Sequence, residues 1–165
     1  MTPQLKAFLD TIAWSEIGPK LLACSNDGYD VCVGSTPAHP ILFHDYSRHP
    51  GFEAKRYPDG PGVSRNEATN SDAAGRYQVM GWLWPTYRDQ LHLPDFGPGS
   101  QDLIALQLIK ECRAVDDIAN GYITQAVFKC RSRWASFPAA GYGQRENPMP
   151  ALLAAFRAAG GVVMS

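Results

Sequence analysis

The chain has 165 residues, which is enough for one hydrophobic core and short for two domains, so we expect a single domain over residues 1–165. Lys and Arg total 15 against 16 Asp and Glu, and this net charge of −1 argues against nucleic acid or an acidic membrane surface as partner. The sequence has no run of about 18 apolar residues and no signal-peptide pattern at its start, so we expect no membrane insertion.

The first predicted element is a helix that ends beside a carboxyl group. Thr2 and Pro3 suit an N-cap and a first helical position, and Gly18 with Pro19 ends the helix. Between them, apolar residues recur on one helical face: Leu5, Phe8, Leu9, Ile12 and Ala13. Glu16 therefore lies in the last turn, where the helix dipole and an apolar wall disfavour its ionised form and suit it to general acid catalysis. A solvated glutamate is the alternative.

Two short strands are predicted next, followed by a long irregular stretch. Residues 29–33 alternate as a strand would and residues 41–43 form a second apolar run, which together predict a small antiparallel sheet. Residues 47–74 are rich in Gly, Pro and polar side chains. A loop of this length in a compact domain is often a lid or binding lip, and surface disorder is the alternative.

The rest of the chain is predicted to be mainly helical. A helical region starts near residue 75 and restarts at Pro85, and Ser100 is a candidate N-cap for the next helix. The later helices are predicted over residues 101–112, 115–120, 123–130 and 151–159. The apolar residues expected in their cores include Trp82, Leu103, Cys112, Cys130, Trp134 and Phe137.

Cysteine and histidine spacings predict neither a metal site nor a cofactor. No Cys-x-x-Cys or His-x-x-x-His pair occurs, and no phosphate-binding or dinucleotide motif is present. The histidines are expected to be solvated loop residues: His39, His44, His49 and His92. Free thiols are expected, although Cys24 and Cys32 flank a turn and a bridge between them after export is conceivable.

A series of short motifs resembles the lambda-type phage endolysins from about residue 6 to about residue 161. The motifs occur in the family's order and approximate spacing: Ala13-Trp14-Ser15-Glu16, Gly28-Tyr29-Asp30-Val31, Asp45-Tyr46-Ser47 with His49-Pro50, Gly75-Arg76-Tyr77-Gln78, Trp134-Ala135-Ser136 and Gly141-Tyr142-Gly143-Gln144. The resemblance implies an α+β, mainly helical lysozyme-like fold, with the small antiparallel sheet as the wall of a glycan-binding cleft. It also implies that Glu16 is the catalytic acid.

The resemblance further implies the activity and its setting. Lytic transglycosylases of this family cleave the β-1,4 bond between N-acetylmuramic acid and N-acetylglucosamine in peptidoglycan and leave 1,6-anhydromuramic ends. The expected partner is therefore a peptidoglycan glycan strand, and we expect a monomer. Synthesis is expected in the host cytoplasm, with action on the cell wall in the periplasm once a holin has permeabilised the membrane.

The resemblance assigns substrate binding to six residues: Tyr29, Asp30, Tyr77, Gln78, Tyr142 and Gln144. Gln78 ends a segment similar to the Gly-x-x-Gln motif of lytic transglycosylases, whose glycine lets the backbone pass close to the catalytic glutamate. Tyr142 matches the tyrosine of a further motif whose asparagine is absent here, and its hydroxyl is expected to hydrogen-bond to Glu16. The alternatives are a half-buried aromatic for Tyr29 and Tyr142, a turn cap for Asp30 and a helix-start residue for Gln78.

Three other functions are compatible with parts of the sequence. A hydrolytic muramidase would use Asp30 or Asp45 as a second carboxylate. A cysteine amidase or peptidase would pair a thiol with a loop histidine, from the set Cys24, Cys32, His39, His44 and His49. A non-catalytic cell-wall-binding module would keep the groove without the chemistry.

Overall fold

The computed structural model describes residues 1–51 and 71–164, and this part of the chain is mainly helical. Its α-helices are, in order, α1 Pro3–Glu16, α2 Pro19–Ala23, α3 Trp84–Leu91, α4 Pro98–Glu111, α5 Val115–Ala119, α6 Ile123–Cys130 and α7 Met149–Ala158. A short 3-10 helix, Gly81–Leu83, precedes α3. Most of the predicted lip at 47–74 lies outside the described residues. None of the described helices is both long and apolar enough to cross a membrane.

The helix ends follow local chemistry. The backbone N–H of Leu5 donates to Thr2 Oγ1 at 3.3 Å, which confirms Thr2 as the N-cap of α1. By contrast, α4 starts at Pro98, three residues before the predicted start, because Asp95 organises that turn. Asp95 Oδ1 accepts hydrogen bonds from Gly97 N at 2.8 Å and from the Ser100 hydroxyl at 3.1 Å. Ser100 therefore lies inside the helix and does not cap it.

The small antiparallel sheet is not confirmed within residues 1–51 and 71–164. Pairing there is reduced to isolated antiparallel bridges, which join Val31 to Leu42, Cys32 to Ala74 and Ala74 to Val79. The physical reason is that a side chain replaces the continuing ladder. Ser35 Oγ accepts the N–H of Ile41 at 2.9 Å and donates to the carbonyl of Cys32 at 2.7 Å. Such local side-chain bonds compete with sheet pairing.

The described residues form two compact units. The first unit comprises Met1–Glu16 and Ala105–Ser165, and the second comprises Ile17–Ile104. In the first unit α1 packs against α5 and α7. Phe8 of α1 lies at its centre, with ring centroids 6.3 Å from Phe137 and 6.4 Å from Phe156 in edge-to-face contacts. A single domain over residues 1–165 stays a prediction.

The second unit has an aromatic core around Phe96. The Phe96 ring centroid lies 4.6 Å from that of His49 and 5.3 Å from that of Trp84. The prediction that His49 is solvated is wrong, because only 1% of its surface is exposed. The core prediction for Trp82 is also wrong, since 67% of its surface is exposed while Trp84 is buried. The helical period locates an apolar face only once the helix start is known, and α3 begins at Trp84.

His49 is held as a neutral imidazole. Its Nδ1 accepts the backbone N–H of Gly51 at 2.9 Å, so Nε2 carries the hydrogen and donates to the carbonyl of Val79 at 2.7 Å. Burial lowers the pKa of His49 to about 4, and the hydrogen bond to Val79 opposes that effect. Protonation of His49 therefore favours the unfolded chain.

We expect this histidine to make the fold acid-sensitive. Between about pH 6.5 and pH 4 the unfolded chain binds a proton that folded His49 does not, so the free energy of unfolding falls by up to about 3 kcal/mol. Urea unfolding at several pH values measures this loss. His49→Gln should remove the dependence, whereas His92→Asn should keep it, because His92 is exposed and its φ of 52° suits asparagine. An equal pH dependence in wild type and His49→Gln would contradict the expectation.

Candidate active site

Glu16 is the last residue of α1 and points its carboxyl group at one serine. Glu16 Oε1 accepts the Ser136 hydroxyl at 2.6 Å and the Ser136 backbone N–H at 3.4 Å. Burial raises the pKa of Glu16 above its ordinary value, and the two hydrogen bonds from Ser136 oppose that rise. The Glu16 carboxyl thus favours its protonated form, while Ser136 stabilises its ionised form by hydrogen bonds. These properties suit a group that acts first as a general acid and then as a general base.

A chain of hydrogen bonds continues from Ser136 into the first unit. Ser136 Oγ lies 2.6 Å from Ser15 Oγ, and Asn147 Nδ2 donates to Ser15 Oγ at 3.0 Å and to the Ser15 carbonyl at 3.1 Å. A backbone carbonyl only accepts hydrogen bonds, so the contact with the Ser15 carbonyl requires the amino side of the Asn147 amide there. Ionised Glu16 can only accept, so the Ser136 hydroxyl then donates to Glu16 and the Ser15 hydroxyl donates to Ser136.

This direction leaves one oxygen of the ionised Glu16 carboxylate outside the chain. Oε1 accepts the Ser136 hydroxyl, whereas Oε2 has no hydrogen bond within the described residues. Charge-assisted bonds of the O–H···O⁻ type are short and strong, which agrees with the 2.6 Å separation. One carboxyl oxygen is therefore fixed by the protein and the other remains for proton transfer.

The loop that carries Tyr142 and Gln144 is exposed and is organised by Glu146. The Glu146 carboxylate accepts the N–H of Gly141 at 3.0 Å and of Ala139 at 2.8 Å, and these bonds hold the pKa of Glu146 below its ordinary value. The Tyr142 hydroxyl donates to the Ser132 carbonyl at 2.9 Å. The expected bond from Tyr142 to Glu16 is therefore not formed, since Ser136 occupies that role, while Gln144 is exposed.

The turn Gly75–Gln78 in the second unit is anchored by a buried glutamine of α4. Gln101 Oε1 accepts the N–H of Arg76 at 2.9 Å, while its Nε2 donates to the carbonyls of Tyr29 at 2.9 Å and Phe96 at 2.8 Å. Gly75 has a φ of 79°, and a Cβ there would lie 2.2 Å from Gln101 Oε1. In the second unit, Gln101 is the neighbour that requires glycine at this position.

Two tyrosines of the predicted site share one carboxylate. The hydroxyls of Tyr29 and Tyr77 donate to Asp102 Oδ1 at 2.8 Å and 2.6 Å. Burial and this bond raise the pKa of Tyr29 to about 12, and the same causes raise the pKa of Tyr77 further. Only 2% of Tyr77 is exposed, so its predicted substrate contact is not supported, because the side chain has no free surface. Tyr29 remains half-buried.

The two aspartates considered at the sequence level hold turns. Asp30 is 7% exposed and its Oδ1 accepts the N–H of Asn26 at 2.9 Å, so its predicted substrate contact is not supported either. Asp45 is exposed, and its Oδ1 accepts the N–H of Ser47 at 2.8 Å. The Ser47 hydroxyl and then this N–H lower the pKa of Asp45. The Asp45 contact is an Asx turn, whereas Asp30 accepts the N–H of a residue four positions earlier in the chain.

Within the described residues, the Gln78 side chain uses its amino group in hydrogen bonds but not its carbonyl oxygen. Gln78 lies in the turn before the 3-10 helix, with a φ of 48°, and not at a helix start. Its Nε2 donates to the carbonyls of Gly75 at 2.9 Å and Val31 at 3.3 Å. The side chain is half-buried, and its carbonyl oxygen is the group that a sugar hydroxyl or amide can use.

The predicted site residues thus fall into two sets. Glu16, Tyr142 and Gln144 belong to the first unit, whereas Tyr29, Asp30, Tyr77 and Gln78 belong to the second. Sequence reasoning missed the residues that hold them: Ser15, Ser136, Asn147, Gln101 and Asp102. Ser136 had a signal, because the Trp134-Ala135-Ser136 motif belongs to the resemblance. Within the described residues, no group of three His, Cys, Asp or Glu side chains could hold a metal ion.

The thiol and histidine arrangement does not suit a cysteine amidase. Both ring nitrogens of His49 are engaged with backbone groups, and the ring is buried. Cys32 is also buried, while exposed Cys24 directs its thiol to the Leu21 carbonyl at 3.6 Å. A nucleophilic thiol needs a hydrogen-bonded base, and His49 has no ring nitrogen left to act as one.

Known proteins resemble this chain over almost its whole length. The family model described as Endolysin matches residues 6–163. The endolysin of Escherichia phage P2 is 47% identical over 161 residues, covering 96% of this chain and 93% of that protein. The endolysin of Escherichia phage lambda is 46% identical over 161 residues, covering 97% and 93%.

Solved structures give the same result for the fold. Bacteriophage lambda lysozyme complexed with a chitohexasaccharide has a TM-score of 0.83 at 44% identity, covering 99% of this chain and 98% of that one. A further structure of lysozyme from bacteriophage lambda has a TM-score of 0.79 at 43% identity, with the same coverage of 99% and 98%. The predicted lysozyme-like, mostly helical fold is confirmed by these similarities.

Proposed function

Because this chain belongs to the endolysin family, we propose that it is a lytic transglycosylase of the bacterial cell wall. The bond cleaved is the β-1,4 linkage between N-acetylmuramic acid and N-acetylglucosamine in peptidoglycan. A related lysozyme complexed with a chitohexasaccharide supports a glycan as the substrate. The observation that carries the proposal is the single carboxyl of Glu16, whose pKa is raised by burial and whose Oε1 accepts the Ser136 hydroxyl.

In the first half-reaction Glu16 is the general acid. Its Oε2 proton passes to the bridging oxygen as the bond to C1 of the muramic acid breaks. A positioned proton donor contributes a factor of about 10²–10⁴ in rate. The raised pKa of Glu16 keeps that proton available near neutral pH, and the carboxylate left behind retains the Ser136 hydroxyl bond at 2.6 Å.

In the second half-reaction the same group is the general base. Ionised Glu16 takes the proton of the muramic acid 6-hydroxyl while that oxygen closes onto C1. The product is a 1,6-anhydromuramic end, no water is consumed, and Glu16 returns to its protonated state. The attacking hydroxyl belongs to the same sugar and is already close to C1, so the reaction needs no second catalytic carboxylate. This agrees with Asp30 and Asp45, whose carboxylates accept backbone hydrogen bonds in turns.

We propose glycan contacts for the accessible members of the predicted set. These are the Gln78 carbonyl oxygen, the Tyr29 ring, and the exposed side chains of Tyr142 and Gln144. Aromatic faces and amide groups suit N-acetylated sugars, which combine apolar ring surfaces with hydroxyl and amide groups. Asp30 and Tyr77 support Tyr29 and Gln78 indirectly, because these sequence neighbours are anchored to Asn26 and to Asp102.

Product analysis tests the reaction type. Purified peptidoglycan is digested with the protein, and the released muropeptides are analysed by mass spectrometry. We expect anhydromuramic ends, which are lighter than hydrolysed ends by one water. Reducing muramic ends would instead establish the hydrolytic muramidase. Binding to peptidoglycan without loss of turbidity would establish the non-catalytic wall-binding module.

The setting of the reaction is also part of the proposal. We propose that the protein is made in the host cytoplasm and reaches the periplasmic cell wall only after a separate holin opens the membrane. Expression in a bacterium should then leave cells intact until the membrane is permeabilised, for instance with chloroform. Lysis without permeabilisation would contradict this.

Replacing Ser136 with alanine should change the pH dependence of activity. The Ser136 hydroxyl stabilises ionised Glu16, so its loss raises the pKa of Glu16 and moves the alkaline limb of kcat/KM to higher pH. The rate should fall about tenfold, since the ionised half of the cycle loses a charge-assisted hydrogen bond. Ser132→Ala is the matched control, because only its backbone carbonyl is used. An alkaline limb at unchanged or lower pH would contradict the role of Ser136.

A further inference from the structure

Two of the four cysteines lie side by side in the first unit. Cys112 follows the end of α4, and Cys130 is the last residue of α6. Both thiols are free, and they are close enough that each shifts the pKa of the other. Cys112 is half-buried, whereas Cys130 is completely buried. One thiol of the pair is therefore accessible to a small molecule while the other is accessible only to its neighbour.

Contacts on both sides hold this pair together. Lys129 Nζ donates to the carbonyl of Arg113 at 3.1 Å, and Arg133 Nη2 lies 3.2 Å from Glu111 Oε2. Glu111 and Arg113 are the sequence neighbours of Cys112, while Lys129 precedes Cys130. These two contacts hold the end of α4 beside the end of α6 on either side of the two thiols.

The two thiols differ in pKa. The hydrogen bond from Cys130 lowers the pKa of Cys112 to about 6, with help from Arg133 and against burial and Glu111. The hydrogen bond to Cys112, burial and the charge of Asp117 raise the pKa of Cys130. Thiolates, not thiols, attack disulfides. The accessible member of the pair is therefore also the nucleophilic one.

From this geometry we propose that Cys112 and Cys130 are a thiol–disulfide exchange site for low-molecular-weight disulfides. The Cys112 thiolate attacks one sulfur of the disulfide, forming a mixed disulfide and releasing one small thiolate. Cys130 then attacks the Cys112 sulfur, loses its proton to solvent and releases the second small thiol. The small disulfide is reduced to two thiols, and the protein loses two hydrogen atoms as the Cys112–Cys130 bond forms.

The Cys112–Cys130 disulfide would form when the protein passes from a reducing to an oxidising compartment. It closes residues 113–129 into a loop, which restricts the unfolded chain. A loop of this size should raise Tm by about 6–12 °C in a chain of this length. This inference does not depend on the chemistry of Glu16, since both thiols are outside the candidate active site.

Oxidised glutathione is the probe. The reduced full-length protein is incubated with it at neutral pH, alkylated and analysed by intact mass and peptide mapping. We expect a cross-linked peptide containing Cys112 and Cys130, with no glutathione retained on either residue, and a higher Tm that reverts with dithiothreitol. Exposed Cys24 serves as an internal control, because it should carry glutathione in the same sample.

Two variants separate the steps. Cys130→Ser should accumulate glutathione on Cys112, because the resolving thiol is gone, whereas Cys24→Ser should form the same cross-link as wild type. The proposal is overturned if wild-type protein with fully glutathionylated Cys24 contains no cross-linked Cys112–Cys130 peptide. That readout uses the unmodified chain, so it stands even where a variant folds poorly.

Discussion

Glu16→Gln should abolish lysis of cell-wall suspensions while leaving the fold intact. The amide keeps the shape of the carboxyl group, and its oxygen can still accept the Ser136 hydroxyl, so the packing at the end of α1 is preserved. It has no acidic proton to give to the bridging oxygen. We expect a rate loss of about 10²–10⁴-fold or more, measured as the initial fall in turbidity. Cosedimentation with peptidoglycan should remain close to wild type.

The pKa direction of Glu16 adds a second readout. A group with a raised folded pKa stabilises the fold at low pH and loses that contribution as the pH rises through the folded pKa. At alkaline pH the free energy of unfolding of Glu16→Gln should therefore be at least as large as that of wild type. Asp10→Asn is the matched control, because Asp10 lies on the same helix and pairs with Lys6 at 2.7 Å. Near-wild-type lysis by Glu16→Gln would refute the assignment of the acid.

Gly75→Ala should destabilise the second unit strongly. The added Cβ would lie 2.2 Å from Gln101 Oε1, and alanine is strained at a φ of 79°. Gln101 cannot easily move, since its amide bonds to Arg76, Tyr29 and Phe96. We expect a loss of about 3–5 kcal/mol in the free energy of unfolding, from strain, overpacking and broken buried hydrogen bonds. Urea unfolding measures it.

Gly160→Ala is the control that separates the steric clash from the backbone strain in the stability loss of Gly75→Ala. Gly160 has a φ of 88°, yet nothing lies within 4 Å of a Cβ built there. Its alanine variant should therefore lose only the strain energy of the left-handed backbone, about 1 kcal/mol. Equal losses in the two variants would mean that Gln101 does not constrain Gly75.

The features that could be predicted from sequence are those determined by residues close together in the chain. A cap at Thr2, an apolar face and the Gly18-Pro19 stop define α1, and they place Glu16 in its last turn. Pro85 likewise lies at the start of α3. Each signal acts over one or two helical turns, so no tertiary knowledge is needed.

The features that could not be predicted depend on residues distant in the chain. Ser136 reaches Glu16 across 120 positions, and Asn147 reaches Ser15 across 132. A serine and an asparagine are common loop residues, so apart from the family motif that contains Ser136, nothing local distinguishes these two. His49 is similar: its burial depends on the carbonyl of Val79, which lies 30 positions away.

The hydrogen-bond chain from Glu16 through Ser136 and Ser15 ends at the side-chain amide of Asn147. To reprotonate Glu16 along this chain, the amide would have to supply a proton, and an amide N–H is far too weak an acid to do so. In the proposed reaction, the proton that Glu16 gives to the departing sugar is therefore restored by the substrate's own hydroxyl, which couples bond breaking to ring closure.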